Sequence, residues 1–138
     1  MQLDKLQNTN AERCFLGRSI FNLNDFVTWK SAISPDHFTD PRARAIYTAQ
    51  LKVHEAGQMP DTTNVLSALH AQGEAVTLEY LFDLVKTATR EIGFHAKILL
   101  DCRARRVIIS KCTKVMKDVT DGGDVFQASD ELKGLEIS

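Results

Sequence analysis

The sequence lacks most of what would mark a catalyst, a metal protein or a membrane protein. It contains no GxxxxGK[ST], GxGxxG or HExxH motif; the glycines read as helix ends, and no phosphate-cradling loop or zinc-protease helix is written in it. No apolar run approaches the roughly 18 residues that span a bilayer, and Met1-Gln2-Leu3-Asp4 does not begin a signal peptide. The three cysteines, Cys14, Cys102 and Cys112, are odd in number and lack CxxC spacing. They read as reduced, apolar-pattern residues of a cytoplasmic protein. Seventeen basic residues nearly balance eighteen acidic ones, for a net charge of −1, so the surplus expected of a dedicated nucleic-acid domain is missing. His37, His54, His70 and His95 are scattered without metal-ligand spacing. A zinc site on His95 and Cys102 would need two further ligands that are not apparent. The expectation is a chain with no catalytic residue, no cofactor and no metal.

What is present is helix after helix. With 138 residues, 43% of them hydrophobic, the chain can bury one compact core. Thr9-Asn10-Ala11-Glu12 has capping-box spacing and opens a helix that buries Cys14, Phe15, Ile20 and Phe21 and ends near Asn22. Asn24 can cap a short second helix with Phe26, Val27, Trp29 and Ile33. In SPDHFTDP, Ser34-Pro35 and Asp40-Pro41 are two helix starts about one turn apart, so Phe38 should anchor a sharp corner from which a long third helix leaves. That helix carries Ile46, Tyr47, Leu51, Val53 and His54 and stops at Gly57. Asp61 caps a helix with Val65, Leu66 and Leu69 inward, and Gly73 stops it. Thr77 opens another with Leu78, Leu81, Phe82 and Val85 inward. Residues 1–91 thus read as a helical head.

A different element follows. On a helical wheel at ~100° per residue, Ile108, Ile109, Cys112, Val115, Met116 and Val119 share one broad apolar arc. Arg103, Arg106, Lys114 and Lys117 fall opposite it. These four are the cluster that could touch nucleic acid, although a basic helix face is more often solvated or paired. Leu99 and Leu100 are out of phase with the apolar arc, which predicts a turn near Asp101 to Ala104 and a two-helix hairpin across residues 92–120. Such a pair needs a partner to cover it. Asp121-Gly122-Gly123 then breaks the chain and opens a linker segment of residues 121–138, in which Asp124 caps a final helix reaching Glu136 whose stripe is Val125, Ala128, Leu132 and Leu135. With nothing local to pack on, that stripe is expected to dock elsewhere.

Taken in order, AERCFLG, SPDHFTDPRARAIY, HEAGQMPDTTNVLSALHAQGE, LEYLFDLV, RARRVI and DVFQASDELKGLEI resemble the N-terminal domain and linker of the DnaB family of bacterial and phage replicative helicases. No one of these segments is specific; their order and spacing are. Ala43 stands where many relatives have histidine, Pro60 is displaced by one residue from the family's cap, and the double glycine before Leu78 is missing. These departures suggest a divergent, phage-borne member. They fall at helix boundaries where other caps are supplied.

The resemblance implies an all-α fold: a small globular bundle of short helices, a dimerising helical hairpin and a C-terminal linker helix, with no ATPase domain in this chain. It further implies a non-catalytic collar domain that pairs with itself, joins a hexamer in the full-length parent and binds the helicase-binding domain of primase. The linker helix would dock on a neighbouring ATPase domain. Nucleic acid would be contacted weakly if at all. Two other readings remain: a helicase-binding domain of the primase C-terminal kind, and a stand-alone regulator of the ring.

Overall fold

The computed structural model describes residues 5–135. The readings of Met1–Asp4 and of a last helix reaching Glu136 lie outside them. Seven α-helices and one short 3-10 turn follow one another, with no strand among the described residues: α1 (Thr9–Phe21), α2 (Leu23–Trp29), the turn Pro35–His37, α3 (Pro41–Glu55), α4 (Thr62–Ala71), α5 (Leu78–Thr87), α6 (Ile92–Thr120) and α7 (Val125–Lys133). The caps explain the boundaries. Asp40, Asp61, Thr77 and Asp124 each accept a backbone N–H from the first turn of α3, α4, α5 and α7, as expected of short oxygen-bearing side chains there. Gly57 and Gly73 follow α3 and α4 at φ 79° and 80°, the left-handed position that glycine enters without strain.

Two caps differ from expectation. Asn8, not Thr9, caps α1 by accepting from the Ala11 N–H at 2.9 Å. Asn22, not Asn24, caps α2, so one residue both ends α1 and begins α2. Glu12 is thereby released from any capping box. It is buried in the head. Its Oε1 accepts from the Thr39 and Asp40 N–H groups at 2.9 and 3.0 Å, and its Oε2 accepts from the Thr39 hydroxyl at 2.7 Å. A carboxylate on α1 therefore satisfies the orphan amides at the start of α3.

The corner between α2 and α3 is built round Phe38, which is fully buried and packs on Phe15 and Tyr47 with ring centroids 5.9 and 4.9 Å away. The Tyr47 hydroxyl donates to the Ile33 carbonyl at 2.7 Å, and burial pushes its pKa well above the usual phenol range. The Ser34 N–H donates to His37 Nδ1 at 2.9 Å. Burial is the main cause of the lowered His37 pKa and favours the neutral imidazole, while the backbone bonding to Ser34 works the other way. Arg44 closes the corner by donating from Nε and Nη2 to the Phe38 carbonyl at 3.2 and 3.1 Å.

Inside the head, α1 presses onto α5 at Gly17. A Cβ there would lie 2.0 Å from the Leu84 carbonyl oxygen, so this glycine is a site of close helix approach and not a helix end. The fit rotates α5 relative to expectation. Leu81 and Leu84 are buried, while Leu78 and Phe82 are exposed. Phe21, expected inside, is also exposed, because α1 ends there and the chain turns away into α2.

Candidate interaction surface

The expected turn near Asp101 to Ala104 is absent: α6 runs unbroken for 29 residues, about 43 Å at ~1.5 Å per residue. The phase break has another cause. Ile92, His95, Ala96, Leu99 and Cys102 are buried on one face of α6, with Ile92, Ala96 and Leu99 joining the head's core. Beyond Cys102 the head's apolar packing ends, and the buried residue in the rest of the helix is Val115. On the wheel the head-facing arc, continued upward, passes through Arg103, Arg106, Lys114 and Lys117, while Val115 lies on the far side. A straight helix thus buries different faces along its length because its partner changes. The hairpin turn lies later, at Asp121–Gly123, where Gly122 has φ 89°. There α7 folds back on α6, so α7 does have a local partner.

Contact between α6 and α7 is slight. Val115 and Ala128 are buried, and Lys114 Nζ reaches Glu131 at 3.2 Å and Asp118 at 3.7 Å. The hydrogen bond to Glu131 is the main cause of the raised Lys114 pKa. Of the residues expected to form an apolar interface, Ile108, Ile109, Met116 and Val119 are exposed, Cys112 is half-buried and Val115 lies under α7. Met116 keeps 69% of its surface in solvent. Of the expected docking stripe on α7, Ala128 faces α6, Leu135 is half-buried, and Val125 and Leu132 are exposed. Sequence reasoning missed Phe126, 78% exposed beside Val125. Its signal was an aromatic residue off the chosen stripe of a short helix.

The basic residues of α6 do not act as one face. Arg106 is committed to the fold: Nη1 donates to the Leu6 carbonyl at 2.6 Å and Nη2 to the Asp36 carbonyl at 3.1 Å, and burial lowers its pKa. Lys114 is paired as described, Arg103 is half-buried and Lys117 is exposed. Among the described residues no group of three or more His, Cys, Asp or Glu is placed to hold a metal ion, and His95 and Cys102 belong to none there. Both are buried, with the His95 pKa lowered and the Cys102 pKa raised chiefly by desolvation. No helix among the described residues is long and apolar enough to cross a membrane.

Comparison with known proteins decides what kind of domain this is. The family model described as "DnaB-like helicase N terminal domain" matches residues 4–101. The chain belongs to that family. Its fold agrees with the crystal structure of the N-terminal domain of DnaB helicase from Mycobacterium tuberculosis, at a TM-score of 0.84 and 22% identity, over 94% of this chain and 99% of that one. No curated protein matches the sequence. The family match stops at Asp101, close to where α6 leaves the head, whereas the structural match continues beyond it. This chain is therefore the all-α N-terminal domain of a DnaB-like helicase and not its ATPase, which is a different domain.

Proposed function

We propose that this DnaB-like domain is a cytoplasmic collar module of the primosome. It pairs with a second copy through α6 and α7, joins a hexamer in the full-length helicase and recruits the helicase-binding domain of primase. The observation that carries the reading is the uncovered apolar face of Ile108, Ile109, Met116 and Val119, which α7 leaves open. Each copy brings four such side chains that are already about half shielded, so pairing two copies yields about 6–12 kcal/mol at ~1.5–3 kcal/mol for each full burial. That is comparable to the roughly 4–15 kcal/mol cost of association, so pairing is weak and concentration-dependent unless α7 adds Val125 and Phe126. In the hexamer α7 would serve as the linker helix, exchanging its slight seat on α6 for a neighbouring ATPase domain through Val125, Leu132 and Leu135. On this account residues 1–91 supply the head, 92–120 the pairing element and 121–138 the linker.

The primase surface lies on the head and spans two paired copies, so pairing and recruitment are coupled. Calorimetric titration with the helicase-binding domain of primase tests this. The wild-type domain should bind, and Ile108→Asp should weaken binding about tenfold or more while leaving the head folded. Unchanged primase affinity in a proven monomer would show that one copy suffices, and no binding by either form would remove the recruitment role. The rival reading of single-stranded DNA binding has little support, because Arg106 and Lys114 already have internal partners.

A further inference from the structure

We draw no further inference here: the strongest candidate, the apolar pocket on the head lined by Ile20, Phe21, Leu23, Met59 and Pro60 where the end of α1 meets the segment before α4, carries nothing, because nothing in the structure shows what covers it.

Discussion

Glu12 and Lys114 are both charged and both hydrogen-bonded to residues distant in sequence, yet they do opposite kinds of work. Glu12 is buried and accepts two backbone N–H groups and one hydroxyl at the α2–α3 corner. Its carboxylate is closed off from solvent, and losing it removes the acceptor of three donors at once. Lys114 is exposed, and its carboxylate partners would be as well served by solvent. The same contrast divides the molecule. The head pairs most of its buried polar groups and closes its core, whereas the outer part of α6 with α7 leaves apolar side chains in water. One region closes a core of its own, and the other has an apolar face still uncovered.

The contrast is most severely tested at Gly17. Because a Cβ there would meet the Leu84 carbonyl at 2.0 Å, Gly17→Ala should destabilise the head by about 3 kcal/mol or more, or abolish folding, as thermal melts followed by circular dichroism would show. Next comes Glu12→Gln, which replaces one acceptor oxygen by an NH₂ group facing donors. It should cost about 2–3 kcal/mol in urea denaturation, with faster amide exchange at Thr39 and Asp40. A loss below about 0.5 kcal/mol would mean that the corner does not depend on this carboxylate.

Acid should act on the head in a fixed direction. His37 and His95 both have folded-state pKa values below their ordinary 6.5, so the unfolded chain takes up protons first as pH falls. Their contribution to stability is complete above about pH 6.5 and is lost as pH falls below it toward the folded-state values. Melting midpoints should therefore drop between pH 7 and pH 5. Replacing His95, whose ring nitrogens lack a partner, by Phe should flatten that slope. The smallest effect belongs to the outer region: Lys114→Gln should leave the melting midpoint unchanged within error at any salt concentration.

Much of this was legible in the sequence. Asp40, Asp61, Thr77 and Asp124 announced their helices because capping is local chemistry between neighbours. The Phe38 corner and the stops at Gly57 and Gly73 were readable for the same reason. What could not be read was contact at long range. Glu12 looked like a cap for its own helix because its true partners, Thr39 and Asp40, are far along the chain. Phe21 and Phe82 looked like core by periodicity, but Phe21 is the last residue of α1, where the chain turns away, and the close fit of α1 on α5 at Gly17 leaves Phe82 outside. The phase break at Leu99 was real and was misread. A shift in an apolar stripe records a change of neighbour, and a straight helix that leaves one partner for another shows it without bending. The bond from Arg106 to the Asp36 carbonyl was invisible for the same reason, since it joins α6 to a turn about seventy residues earlier.

The central claim is that the outer part of α6 is finished by a second copy of the chain, and sedimentation equilibrium tests it most directly. Wild-type protein should fit a monomer–dimer equilibrium across a hundredfold range of concentration, and Ile108→Asp should stay monomeric throughout while melting, when dilute, at the wild-type temperature, because the new charge is solvated in the monomer and stranded only in the interface. Wild-type protein that remains monomeric at the highest concentration, or an Ile108→Asp variant that dimerises as the wild type does, would contradict it.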